Sequence, residues 1–166
     1  AAQQRLPLLC SPTVDNVAVI VGVACFTGVM AVKLHKVPPF FSDAYFLALT
    51  QVDAVVFGGL VYAAITRRNQ TEYHRRLMMG ATIAITEPAL GRLLPMPMMI
   101  GWGEWVVLAV QLTFIGIMAL HDRRVLGRIH PATATSGAII AMYHILVETA
   151  SRNPEIIKIA AMVAQG

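Results

Sequence analysis

Six ionisable side chains interrupt otherwise apolar stretches of this chain: Asp53, Glu87, Arg92, Glu104, His144 and Glu148. A charged side chain at mid-membrane costs about 2.5–3.5 kcal/mol on insertion scales, which several leucines must offset. Residues of this kind face a bundle interior, pair with one another, and mark proton, ion or ligand sites. His144 and Glu148 stand four apart and share a helix face. With Asp53, Glu87 and Glu104 converging on them, they predict a carboxylate–imidazole pocket for a proton, a cationic ligand or a divalent metal. The competing reading is structural. Arg92 would neutralise Glu87 or Glu104 in an interhelical ion pair, while Glu148 meets water. Arg92 lies about 7.5 Å along the axis from Glu87, off its face, so another helix's carboxylate is the easier partner.

Other chemistries are written less plainly. No nucleophile–base pair or cofactor loop is visible, so an enzyme ranks behind a binding protein or a subunit. Haem would use histidines on facing helices. His130 and His144 are 14 apart, but His35, His74 and His121 fall at helix ends or in loops and supply no matching pair. His130 before Pro131 reads instead as a helix start. The cofactor is therefore left open. Cys10 and Cys25 show no metal-type spacing, and Cys25 sits inside an apolar block, away from any simple disulfide with Cys10.

The elements that must position these groups are long and apolar. Of 166 residues, 57% are hydrophobic and 13% charged, with mean hydropathy +0.64, outside the usual soluble range. The apolar blocks lack polar faces and are joined by short polar loops, which predicts an all-α, polytopic transmembrane helical bundle forming one domain. Five spans are expected, at about 17–34, 43–65, 73–94, 99–120 and 131–150, with a short interfacial helix at 155–164. The first residues, broken by Pro7 and Pro12, read as a loop with a processed or truncated start. Thr71 is the expected cap of the third span, Pro88 is positioned to kink it, and Pro131 suits the first turn of the fifth. Ala18/Gly22, Ala24/Gly28, Ala54/Gly58 and Thr133/Gly137/Ala141 are small-residue stripes suited to close helix approach.

The net charge of +4 arises largely from arginines grouped in loops, which argues for topology and lipid contact, with no nucleic-acid partner. Five spans place Arg67, Arg68, Arg75, Arg76, Arg123, Arg124 and Arg128 on one side, the cytoplasmic one by the positive-inside rule. With His74 they form a candidate patch for anionic headgroups. By helix rise, Asp53, Glu87 and His144 then lie about 15–20 Å along their spans, and all six intramembrane groups fall between the midplane and the outer face. Trp102 and Trp105 fall at the outer interface as an aromatic belt.

The run His74-Arg75-Arg76-Leu77-Met78 with Ala81-Thr82-Ile83, Glu87 and Arg92, followed by Gly127-Arg128-Ile129-His130-Pro131-Ala132-Thr133, resembles a family of uncharacterised bacterial multispanning membrane proteins. The likeness covers about residues 15–150 and implies an integral inner-membrane fold with no established activity. Two functions are therefore expected: an outer-half polar pocket for a small ligand, ion or proton, or an accessory subunit packed against other membrane subunits.

Overall fold

The structure, a computed structural model, describes residues 12–99 and 101–165. Arg5, Pro7 and Cys10, and with them the reading of the first residues, lie outside these. Among the described residues there are seven α-helices and no strand: α1 (Pro12–Lys33), α2 (Asp43–Thr66), α3 (Thr71–Ala84), α4 (Glu87–Leu93), α5 (Gly103–Leu126), α6 (Pro131–Ser151) and α7 (Pro154–Gln165), with a 3-10 turn at Met96–Met98. Three of them, α1, α2 and α5, are long and apolar enough to cross a membrane.

Local chemistry sets the boundaries. Pro12 opens α1 five residues ahead of the expected start: proline suits the first turn, and Asp15 there complements the helix dipole. Ser42 caps α2 by accepting from the Tyr45 N–H at 3.2 Å. Thr71 does not cap α3. Gln70 occupies that position, and its side chain makes no capping hydrogen bond. Gly127, left-handed at φ 70°, closes α5. The His130 ring caps α6, with Pro131 in its first turn. The expected third span is not one helix, because the backbone breaks between Ala84 and Glu87.

Helix α2 lies at the centre, packed against α1, α3, α6 and α7. The main core joins α2, α3, α5 and α6 through buried Leu60, Ala64, Leu77, Ala84, Ile115, Ile140 and Val147. A smaller core seats α7 on the α1–α2 hairpin through Val32, Leu47 and Ala160. The loops collect at two ends. Tyr73 stacks edge-on against His130 and under the Arg67 guanidinium, joining the α2–α3 and α5–α6 turns at an arginine-rich end. Phe41, Trp102 and Arg152 share a cavity at the opposite end.

Small residues mark the close crossings. A Cβ at Gly28 would lie 2.8 Å from Thr50 Cβ, one at Gly58 2.6 Å from Val21 Cγ2, and one at Gly137 2.9 Å from Ile115 Cγ2. Gly80, where no stripe was expected, meets Ser136 in the same way. Gly22 departs from expectation, with nothing within 4 Å of its Cβ direction. Gly28→Leu should therefore lower stability by about 1–3 kcal/mol through overpacking, while Gly22→Leu leaves it unchanged. Thermal unfolding in detergent, followed by circular dichroism, compares the two directly. Equal melting would contradict this packing.

Candidate functional site

The site grows out of the break between α3 and α4. Pro88 has no N–H, so the Ala84 carbonyl four residues earlier loses its helical donor. Thr86 folds back on Ile83 O through its N–H at 3.2 Å and its hydroxyl at 2.6 Å. Gln111, fully buried on α5, supplies the remaining donor: its Nε2 lies 3.1 Å from Ala84 O and 3.3 Å from Ile83 O. Backbone carbonyls only accept, so the Gln111 amide can face them only with its NH₂ group.

That orientation turns Gln111 Oε1 toward α6 and fixes the chemistry there. His144, also fully buried, places Nε2 at 2.9 Å from Gln111 Oε1 and Nδ1 at 2.8 Å from Glu104 Oε1. Facing an acceptor, Nε2 must carry a proton. A second proton then lies between Nδ1 and Glu104, either on the carboxyl or on the imidazole, because two bare acceptors would repel at this distance. Tyr143 stacks on His144 with centroids 4.3 Å apart. Its hydroxyl donates to Glu87 Oε2 at 2.8 Å, with Gln111 Oε1 a longer alternative at 3.3 Å. The result is a row of five polar side chains at hydrogen-bonding distances, Glu104–His144–Gln111–Tyr143–Glu87, drawn from α4, α5 and α6, in which the one Tyr143 proton serves Glu87 or Gln111 at a time.

Each end opens on a cavity. Glu87 shares one of about 220 Å³ with Asp53 and Arg92, and Glu104 shares another of about 360 Å³ with Glu148. Phe40 and Phe41 line both. Asp53 keeps one carboxyl oxygen, Oδ1, buried without a hydrogen-bond partner. Glu148 pairs with Arg152 on its own helix. Arg92 bonds the Pro88 carbonyl at 3.2 Å and forms no ion pair with a described residue, so the interhelical pair with Glu87 or Glu104 is absent. No group of three or more His, Cys, Asp or Glu among the described residues is arranged to hold a metal ion. Both nitrogens of His144 are engaged, which leaves it none to ligate haem, whereas His130 uses only Nδ1, accepting from the Ala132 N–H. Sequence reasoning missed Gln111 and Tyr143 as members of the site. A lone glutamine inside an apolar helix was the available signal for the first, and Tyr143 carried none.

At the arginine-rich end, Arg67, Arg68, Arg75, Arg123, Arg124 and Arg128 are exposed, as a headgroup patch needs. Arg76 is not part of that surface. It is 8% exposed, bonded to Glu72 and held to Asp122 Oδ1 through Nε at 2.8 Å. Asp122 Oδ2 in turn accepts from the His130 N–H at 3.2 Å and from the Thr133 hydroxyl. One buried carboxylate thus ties α3, α5 and the start of α6. His74 is half-buried against Ala64 O, 2.8 Å from its Nδ1. The Arg76 hydrogen bond holds the Glu72 carboxyl below its usual range.

Burial, and then the Arg76 guanidinium, push the His130 imidazole below its ordinary value near 6.5. The unfolded chain therefore takes up this proton first on acidification, and the group's contribution to stability falls as pH drops through about 6.5. Protonation also removes the Nδ1 lone pair that caps α6. His130→Asn, a cap that does not titrate, should flatten the acid limb of the melting-temperature profile. An unchanged limb would contradict this assignment.

No family model matches the chain, and no curated protein or solved structure matches it.

Proposed function

We propose that this is a multi-pass membrane protein of five spans whose buried cluster is a proton-binding site serving a pocket for a small ligand or ion. The observation that carries the reading is the row of polar side chains from Glu104 to Glu87, with a carboxyl group at each end and a cavity beside each. Helices α1, α2 and α5 supply three spans. The α3–α4 column and α6 supply the other two. They are less apolar because Glu87, Tyr143 and His144 are buried in the bundle instead of facing lipid.

The exposed arginines support an orientation with the α2–α3 and α5–α6 turns in the cytoplasm and the cluster in the outer half. A bacterial inner membrane and the likeness to uncharacterised multispanning proteins belong to the same reading. Single cysteines at Arg68 and Arg124, in a chain with Cys10 and Cys25 replaced by serine, should resist an impermeant thiol reagent applied to intact cells. Labelling from outside would reverse the orientation. For the site, infrared difference spectra across pH in nanodiscs should show a carboxyl band that disappears in Glu104→Gln. A spectrum identical in wild type and Glu104→Gln would remove the proton-binding reading.

A second reading, an accessory subunit, is favoured by one observation. Val19, Gly22, Val23 and Phe26 share an exposed face of α1, with Phe26 64% exposed and nothing within 4 Å above Gly22. A helix of a larger complex could seat there. Gly22→Leu would then shift the protein from a larger assembly to a monomer in mild detergent without changing its melting. A wild-type monomer would count against the subunit.

A further inference from the structure

We propose that the cavity beside Glu104 binds a compact organic ammonium ion, and that the cation displaces the proton shared by Glu104 and His144. The walls carry the first half of this. Phe40, Phe41, Tyr45, Trp102 and Trp105 line the same space as the Glu104 carboxyl. Aromatic faces attract a poorly hydrated cation, and such cages are the recurring means of recognising alkylammonium groups. The wall is built in advance: Phe40 and Phe41 centroids are 4.7 Å apart, and Phe41 stacks on Tyr45 at 5.2 Å with 18° between the rings. A volume of about 360 Å³ suits a small ligand. Trp102 and Trp105 as a simple interfacial belt would need only lipid. Here the two tryptophans instead line, with three other aromatic residues, one cavity that also takes in Glu104.

Charge supports the same class of ligand. Glu148 and Arg152, which also line the cavity, neutralise each other. Glu104 is left matched only by the shared proton at His144. The other titratable groups facing this pair are Tyr45 on α2 at the cavity wall, Tyr143 on α6, and, beyond Gln111, Glu87 on α4 with Asp53 on α2.

The exchange balances. One cation enters, Glu104 turns from His144 Nδ1 to face it as a carboxylate, His144 stays neutral on Nε2–H, and one proton leaves through the cavity. This second half rests on the proton-binding reading of the cluster, whereas the aromatic cage does not.

The chain's two tryptophans both line the cavity, so intrinsic fluorescence of the full protein in nanodiscs reports on it directly. Titration with tetramethylammonium should give a saturable change, and 2,2-dimethylpropan-1-ol, its uncharged counterpart in shape, should give none. A pH indicator in weak buffer should record about one proton released per cation bound. Glu104→Gln and Phe41→Leu should each weaken binding about tenfold or more, a loss of about 1.4 kcal/mol. Glu104→Asp should restore part of it and serves as the check should Glu104→Gln fold poorly.

Equal binding of the alcohol, or full affinity in Phe41→Leu, would overturn the cage. Saturable cation binding without proton release would overturn the exchange. In that case a Glu104-dependent band, from carboxyl or imidazolium, still present in the infrared spectrum means that the coupling alone has failed, and the absence of both means that the proton-binding reading has failed with it.

Discussion

Asp122→Ala should be among the most damaging single substitutions in the chain, lowering stability by about 3–5 kcal/mol, the range for breaking a buried ion pair from one side. The loss has an identifiable source. Arg76, 8% exposed, would keep only the exposed Glu72 as a charge partner, and the Thr133 hydroxyl and His130 N–H would lose their acceptor. Chemical unfolding in detergent, monitored by circular dichroism, measures it. Removing both charges in Arg76→Met/Asp122→Leu should recover a large part, because no buried charge is then stranded. A single substitution costing less than about 1 kcal/mol, the range of exposed pairs, would show that water reaches Asp122.

Gln111→Leu comes second, at about 3 kcal/mol or more, since each stranded buried polar group costs about 1–3 kcal/mol. It strands the Ala84 carbonyl on one side and His144 Nε2–H on the other, while Ile83 O keeps its bonds from Thr86. The cause can be tested apart from the size. Pro88→Ala returns a backbone N–H to the position facing Ala84 O, so in the Gln111→Leu background it should recover stability, whereas alone it should gain little. Additive effects of the two changes would mean that Gln111 does not act through the helix break. Nitrogen NMR of His144 supplies a second readout: the proton fixed on Nε2 should lose that preference in Gln111→Leu.

Much of the architecture was legible because it depends on quantities that sequence carries directly. Apolar runs and prolines gave the helices to within several residues, although α5 runs on to Leu126 and takes in His121, Arg123 and Arg124, expected in a loop. The fixed rise per residue predicts one depth for Asp53, Glu87 and His144, and Asp53 and Glu87 share a cavity. What depth does not give is azimuth. Arg76 looks like its neighbour Arg75 in sequence, yet one is buried on Asp122 and the other is exposed. Arg92 lay near enough to neutralise a carboxylate, but it bonds the Pro88 carbonyl on its own helix. Gln111 and Tyr143 were missed for a related reason. Their importance comes from carbonyls and carboxyls on other helices, which no local pattern announces. Gly22 and Gly80 make the same point for packing: the first sits in a small-residue stripe and touches nothing, whereas the second sits in none and meets Ser136.

The gap between Ala84 and Glu87 also bears on the order in which the chain enters its membrane. On the five-span proposal, the α3–α4 segment leaving the ribosome alone would offer lipid a bare carbonyl and an acidic side chain, each costly in hydrocarbon. Its relief comes later in synthesis: the Gln111 donor is 27 residues downstream of Ala84, and the Tyr143 hydroxyl is 56 downstream of Glu87. At about 5–20 residues per second, the second delay lasts about 3–11 s. During that interval the segment has reason to stay at the insertion machinery or the interface, and α5 and α6 bring the groups that let it settle. Substitutions at Gln111 or Tyr143 should therefore lengthen the time for which a nascent chain remains accessible to crosslinking at residue 87, before any property of the finished protein is measured.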